Sequence, residues 1–243
     1  MDFNDRRARS DIMSRMSEHG TSVRNMFSQI ASRYDRLNRI MTFGLDIFLR
    51  REAVRRLEPQ NGQWILDDGA GTGDLIFEAQ RRAPGTHLVA SDFTLAMLRI
   101  GQQRDVEKRV SWVLADAHNL PFAPDVFDGV VCGYLLRNVS DINRTLDEQK
   151  RVLKNSGRLV SLDTTPPEDN LLRPLINFYL RHIIPLLGRL FAGNIDAYTY
   201  LPQTTQQFLS AEQLGGRMSL AGLNNVGWVR RLFGSMAIHW GQK

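Results

Sequence analysis

Between residues 63 and 163, short β-branched runs alternate with segments whose apolar residues recur at helical spacing, and this alternation restricts the fold most. "QWILDD" reads as a strand and "GDLIFEAQRRA" as a helix; "HLVASD" is the next strand, with "LAMLRIGQQR" as its helix. "VSWVLAD" and "DGVVCGY" are two further strands, "INRTLDEQKRVLK" is a helix, and "GRLVSLD" is a fifth strand entered through a turn at "KNSG". Strands linked by helices of this length pair in parallel, and a parallel sheet needs helices on both faces to bury it. The carboxyl end, "NVGWVRRLFGSMAIHWGQK", reads as two strands joined at "LFGS", an antiparallel hairpin closing one edge of the sheet. An α/β fold with a mostly parallel sheet follows.

The flanking segments read as helical. "SVRNMFSQIASRYDRLNRIMTFGLDIFLRREAVRRL" carries apolar residues at helical spacing, with breaks near Thr42 to Gly44. Residues 171–222 read as mostly helical, with prolines at 174, 185 and 202. At 243 residues one domain is expected, over 24–243, behind a frayed segment 1–23. The amino terminus is charged throughout and carries no export signal, and no apolar run is long enough to span a bilayer, so a cytoplasmic protein is expected. The single cysteine, Cys132, excludes an internal disulfide and reads as an inert core thiol. The net charge of +5 is spread over "RRARS", "LRREAVRR" and "VRRLF" with little aromatic interleaving, which argues against a nucleic-acid surface.

The stretch "DDGAGTGDL" leaves the first strand and opens the first helix of the alternating unit, the place where such sheets bind nucleotides. A dinucleotide fingerprint counted from Gly69 would put its third glycine at position 74, which is Asp74. A carboxylate at the start of that helix opposes a pyrophosphate. It suits a cofactor that carries positive charge and no phosphate, and S-adenosylmethionine, with its sulfonium and amino group, is such a ligand. Asp67, Gly69, Gly71, Thr72 and Gly73 would then cradle the methionine portion, with Thr72 offering a backbone amide and its hydroxyl. Asp92, followed by Phe93, ends the second strand where a carboxylate can accept two ribose hydroxyls. Asp116 follows the third strand, placed to accept from the adenine amine, and Ala117 offers a backbone amide to the ring. No metal is expected.

"MFSQIASRYDRLNRIMTFGLD", "DDGAGTGDL", "NLPFAPDVFDGVVCGYLLRNVSD", "RVLKNSGRLVSLD" and "NIDAYTYLPQTTQQF" together resemble, in this order, the ubiquinone/menaquinone biosynthesis C-methyltransferases. The resemblance covers roughly residues 24 to 242, and its Arg-Asn-Val-x-Asp and Tyr-x-Tyr-Leu-Pro elements are more specific than the glycine loop. It implies a Rossmann-like sheet of seven strands and methylation of a ring carbon of a polyprenylated quinol, demethylmenaquinol or a relative. It places Gly133 among the cofactor contacts, makes 24–57 a helical cover that brings Tyr34 near the cofactor, and makes 171–222 a helical cap insert over the substrate. Contact with the inner membrane surface, where such a quinol resides, is expected to be reversible; a homodimer is left open.

Carbon methylation needs electron density on carbon, supplied by a polarised hydroxyl ortho to the target. Arg137 is the expected stabiliser of the developing phenolate; the resemblance implies that this arginine works through a water. The alternative role for Arg137 is a salt bridge to Asp141 that pins the following helix. Candidates to take the proton are His118, Asp163 and Tyr200; the alternative for His118 is a solvent-facing loop residue. The chain departs from the family pattern at Asp68, where an apolar residue is usual, and at "LKNSG". "YLLRN" loses a glycine at Leu135, and Asp163 replaces a glutamate. Methylation of another apolar acceptor at carbon or oxygen, a non-catalytic membrane or scaffold protein of the same fold, and a nicotinamide-dependent oxidoreductase are the competing readings.

Overall fold

A computed structural model describes residues 21, 24–31, 35–167, 173–183, 186, 204, 205 and 207–243. Tyr34, Tyr200 and the frayed segment apart from Thr21 lie outside the described residues, as does much of the expected helical insert. The elements in chain order are α1 (Leu45–Leu57), β1 (Trp64–Asp68), α2 (Asp74–Arg82), β2 (His87–Asp92) and α3 (Leu95–Arg104). Then come β3 (Val110–Leu114), β4 (Phe127–Gly133), α4 (Ile142–Val152) and β5 (Leu153–Thr164). The described part of the expected insert, 171–222, holds α5 (Arg173–Phe178), a π-helical turn (Tyr179–Ile183) and α6 (Ala211–Leu220), and the chain closes with β6 (Asn224–Arg231) and β7 (Met236–Gln242).

The seven strands order as β3-β2-β1-β4-β5-β7-β6. β1 to β5 run parallel, whereas β7 pairs antiparallel with β5 and β6 antiparallel with β7. The hairpin joins at 232–235, the "LFGS" stretch, and β7 rather than β6 docks on the parallel sheet. Strand alternation sends Ile65, Ala90, Val131 and Val160 to one face and Leu66, Val89, Val130 and Leu159 to the other. On the first face α1 supplies Leu49, Ala53, Val54 and Leu57, and α2 supplies Leu75, Ile76 and Ala79. On the second, Leu146 and Val152 of α4 pack with Leu214 and Met218 of α6. Each fully buried Leu or Ile contributes about 1.5–3 kcal/mol, so these two layers hold the molecule together.

α1, the end of the segment expected as a cofactor cover, packs into the core and is fastened to the sheet by charge as well as by its apolar stripe. It starts at Gly44, which has φ 77°, a left-handed value that ends the preceding helical segment and redirects the chain. Glu52, 3% exposed, takes a two-pronged ion pair from Arg231 of β6 at 2.6 and 2.8 Å. Arg56 lies 4.0 Å from the centre of the Trp240 ring. The turn expected at "KNSG" is instead a bulge inside β5: Phe127 pairs with Leu153, yet Gly129 pairs with Arg158, and Ser156 takes φ 66°. Both ends of the stretch stay on the β4 ladder, and the extra residues loop out between them.

Candidate active site

The strand order reverses between β1 and β4, so their carboxyl ends open the crevice in which ligands of doubly wound sheets sit. The glycine loop lines one side. Gly69, Gly71 and Gly73 have φ of 76°, 57° and 94°, values that side-chain-bearing residues rarely adopt. The amides of Gly69 and Ala70 donate to the Ser91 carbonyl at 2.8 and 2.9 Å, which ties the loop to β2. Leu135 packs onto Gly69 so closely that a Cβ there would lie 2.9 Å from its Cδ1. Gly133 ends β4 against Leu75, whose Cδ1 would stand 2.7 Å from an added Cβ.

Carboxylates crowd this end of the sheet. Asp67 is fully buried; one oxygen accepts from the Ile76 amide at 3.1 Å and the other, Oδ1, has no hydrogen-bond partner. Burial, then the neighbouring charges of Asp68 and Asp92, push its carboxyl well above the ordinary range. Asp92 accepts from the Gly71 amide at 2.8 Å and the Thr94 amide at 2.7 Å, holding the loop and the start of α3 in register, and burial raises its pKa too. Phe93, next in the chain, is half-buried. Asp68 points to the opposite face, where Ser91 Oγ donates at 3.1 Å and Gln149 Nε2 at 2.8 Å; burial lifts its carboxyl to about 6. Like charges this close in a low-dielectric site are costly unless a cation joins them.

Asp116 stands on the loop after β3 with one oxygen, Oδ1, bound to the His118 amide and ring; the bond to the ring holds its carboxyl below the ordinary range. Ala117 is buried beside it. His118 is not the solvent-facing loop residue that the alternative reading expected, being 8% exposed. Its Nδ1 lies 2.7 Å from Asp116, and its Nε2 accepts from the Asp141 amide at 3.2 Å. Both ring nitrogens are therefore engaged.

Arg137 and Asp163 meet where β4 and β5 end. The Arg137 guanidinium donates to Asp163 at 2.7 Å, with the two side chains only 6% and 1% exposed. Asp163 also accepts from the Arg137 amide at 3.2 Å and the Thr164 amide at 2.8 Å. The salt bridge considered for Arg137 was to Asp141, but Asp141 caps α4 through the Arg144 amide. Arg137 Nε is buried with no hydrogen-bond partner, and its Cζ lies 4.9 Å from the centre of the Tyr134 ring. Tyr134 holds φ 60°, a strained value at the head of this crevice, and had no place among the expected site residues.

Thr72 is also committed otherwise than expected, since its hydroxyl donates to Asp35 at 2.7 Å. Asp74, read as a carboxylate that opposes a phosphate at the start of this helix, is neutralised by Arg39 at 3.2 Å, Arg104 at 2.7 Å and Arg50 at 3.5 Å. Burial raises its pKa, and Arg50 with the other two arginines overrides burial and lowers it. These arginines lie 24 to 35 residues away in sequence, so no local motif carries them. Cys132 is buried, and burial pushes its thiol up, in keeping with an inert core residue. Among the described residues no His, Cys, Asp and Glu cluster could hold a metal, and no helix is long and apolar enough to cross a membrane.

The reversed strand order, the positive-φ glycine loop and the buried carboxylates of Asp67 and Asp92 beside it define a Rossmann-like domain with its ligand crevice at the carboxyl ends of β1 and β4. Its fold matches that of a SAM-dependent methyltransferase from Thermotoga maritima with a TM-score of 0.63 at 20% identity, over 90% of this chain and 98% of that one. It also matches the Haemonchus contortus phosphoethanolamine N-methyltransferase 2 in complex with S-adenosyl-L-methionine, with a TM-score of 0.61 at 16% identity over 80% and 52% of the two chains. The chain belongs to the ubiE/COQ5 methyltransferase family, which it matches over residues 13–243. The ubiquinone/menaquinone biosynthesis C-methyltransferase UbiE of Desulfotalea psychrophila is 43% identical over 225 residues, 92% of this chain and 91% of that protein. The demethylmenaquinone methyltransferase of Thermus thermophilus is 40% identical over 90% of this chain and 100% of its own. The protein is an S-adenosylmethionine-dependent methyltransferase of quinone biosynthesis.

The crevice fits that cofactor. Asp67 Oδ1 is a buried acceptor lacking a donor, and the charges of Asp68 and Asp92 crowd the same carboxylate. A ligand bearing a sulfonium and an ammonium supplies both charge and donors.

Proposed function

We propose that the protein methylates a ring carbon of a polyprenylated quinol, demethylmenaquinol or a close relative, which it collects at a membrane surface. The observation that carries the acceptor half is the Arg137–Asp163 pair with its leftover donor. A buried guanidinium N–H without a partner is costly, and an incoming quinol oxygen would satisfy it. The names of the relatives from Desulfotalea psychrophila and Thermus thermophilus support the same substrate class.

When bound, the cofactor supplies an electrophilic methyl group. Asp67 and the loop glycines hold its methionine end, Asp92 the ribose hydroxyls, and Asp116 with Ala117 the adenine, while Gly133 closes the floor. Arg137 stabilises negative charge developing on the ring hydroxyl, which places electron density on the ortho carbon. Asp163 keeps that guanidinium in place. With three donors already on its carboxylate it orients Arg137 and does not take the proton. The two bonded nitrogens of His118 give it the same kind of role toward Asp116. An arginine stays protonated, so the quinol proton leaves to a water next to Arg137. Tyr34 keeps the place near the cofactor that the family resemblance implies, and Tyr200 stays a candidate to pass that proton onward from the water.

Reversible membrane contact is supported by exposed apolar side chains near the entrance. Phe43 is 78% exposed and Phe48 55%, while Leu175 and Phe178 of α5 are also exposed. The two groups adjoin: the Phe43 and Tyr179 rings lie 5.9 Å apart, and Tyr179 donates to the Met41 carbonyl at 2.7 Å. Arg51 and Arg55 stand on the exposed side of α1 beyond Phe48, with side chains 60% and 61% exposed. Each basic residue near an anionic surface contributes about 1 kcal/mol, and each buried prenyl methylene about 0.8 kcal/mol. The protein is therefore expected to co-sediment with anionic vesicles at low ionic strength and to be released by salt. Its rate should rise steeply with the tail length of the quinol. Equal rates with and without a tail, and no sedimentation at low salt, would contradict both parts.

A further inference from the structure

Residues 35–41 are wired to the glycine loop through one arginine at the far end of α3. Arg104 Nη1 donates to the Thr72 carbonyl and to Asp35 Oδ2, both at 3.0 Å, while Nη2 donates to Asp74 Oδ1 at 2.7 Å. Its guanidinium lies 5.2 Å from the centre of the Phe77 ring, which limits its swing. Asp35, at the start of the helical residues 35–41, also accepts the Thr72 hydroxyl at 2.7 Å. From the other end of that segment Arg39 reaches Asp74 at 3.2 Å and pairs with Asp46, which Arg50 joins. Three arginines and three aspartates thus form a charge-balanced network, in which Arg39, Asp46, Arg50 and Asp74 close a ring and Arg104 branches from Asp74 to Asp35; Thr72 is gripped by both its hydroxyl and its carbonyl.

We propose that Arg104 is a positioning residue for the cofactor: by holding the Thr72 carbonyl and Asp35 with one planar fork, it fixes the glycine loop and clamps the cover segment onto it. Arginine suits this task because its planar guanidinium holds the Thr72 carbonyl and Asp35 on Nη1 and Asp74 on Nη2 at fixed angles, whereas an ammonium is a point charge on a flexible stem. The proposal rests on the reading of this crevice as the S-adenosylmethionine site, and it makes a prediction opposite in sign to simple electrostatics. Arg104 is a cation, so if it acted only through its charge, removing it would tighten binding of a positively charged cofactor. If it positions the loop, removing it loosens binding.

The test is titration calorimetry of S-adenosylmethionine against the full-length protein and its Arg104→Gln, Arg104→Lys, Asp35→Asn and Asp92→Ala variants, with KM, kcat and thermal melting measured alongside. Arg104→Gln is expected to raise Kd and the cofactor KM by about ten- to hundredfold, with kcat changed by no more than about twofold. Arg104→Lys should recover part of the loss, and Asp35→Asn, which can still accept the Thr72 hydroxyl, should lose less than Arg104→Gln. Asp92→Ala checks the underlying site: its unchanged affinity would remove the cofactor reading on which the proposal stands. Weakened binding in Asp92→Ala with unchanged or tighter binding in Arg104→Gln would overturn the proposal itself. So would a lower melting temperature in Arg104→Gln with KM and Kd intact, since that is the signature of a purely structural ion pair.

Discussion

Arg137→Leu is expected to lower turnover by about two orders of magnitude or more and to destabilise the fold by about 3–5 kcal/mol, because it leaves the Asp163 carboxylate buried without its cation. A second substitution separates these two effects. With Asp163→Leu added, both charges are gone and two apolar side chains fill the space, an exchange that is often neutral or stabilising for a buried pair. The double variant should regain the part of the lost stability that the unpaired charge costs, though not the part lost by the Arg137 and Thr164 amides without their acceptor, and none of the lost turnover, with cofactor affinity close to that of the parent. If activity returned along with the melting temperature, Arg137 would be only an internal brace. Melting curves, calorimetry and turnover on the same samples decide this.

Asp68→Asn is expected to stabilise the protein at neutral pH by as much as about 3 kcal/mol, the equivalent of a carboxyl lifted from 3.8 to about 6. Burial is the main cause of that shift; the bonds from Gln149 and Ser91 oppose it, and Asp92 and Asp116 add to it. The folded state therefore favours the protonated carboxyl. This group's contribution is fully present below pH 3.8 and is lost as pH rises through about 6, so the parent should lose stability between pH 4 and pH 6 in a way that Asp68→Asn does not. An amide at this position can still bond Gln149, whose Oε1 is buried without a partner. Removing the charge also relieves Asp67, whose carboxyl Asp68 helps to raise. Urea titrations of both proteins across this range check it, and parallel pH profiles would contradict it.

These two predictions mark where the sequence could and could not be read. Strands and helices were legible because each is a local pattern: "HLVASD" and "LAMLRIGQQR" match β2 and α3 residue for residue. The seven strands and the terminal hairpin follow from the same periodicity. The "KNSG" stretch misleads because Asn, Ser and Gly favour a turn locally, whereas the ladder with β4 on both sides keeps it inside one strand. Partner choice is not local at all. Arg137 bonds a carboxylate 26 residues on, Asp68 an amide 81 residues on, and Arg104 a carboxylate 69 residues back. Spacing alone could offer Asp141 for Arg137 because the two are neighbours in sequence, and it could not see that Asp141 is needed as a helix cap. The burial of His118 depends likewise on the start of α4 folding over it, through Ser140 and Asp141.

The loop glycines were legible as a site because their chemistry is carried by the backbone, where residue type decides the conformation. The departures at Asp68 and Leu135 could be noticed but not interpreted. Asp68 faces away from the crevice into a buried polar cluster, and Leu135 packs on Gly69. Leu135 thus alters the wall between the glycine loop and the acceptor side, and Asp68 alters stability and the charge felt by Asp67 and Asp92.

The most direct measurement of the central claim is transfer of a labelled methyl group from S-adenosylmethionine to a demethylated, prenylated quinol, followed by air oxidation and mass spectrometry of the lipid extract. Methylation on carbon leaves both ring oxygens free, so the product reoxidises to a quinone that carries one labelled methyl group on the ring. Methylation on oxygen gives an ether that cannot return to the quinone without losing the label. The account predicts one labelled quinone, abolished in Arg137→Leu with Asp163→Leu. A labelled ether, or no labelled lipid from a protein that binds S-adenosylmethionine normally, would contradict it.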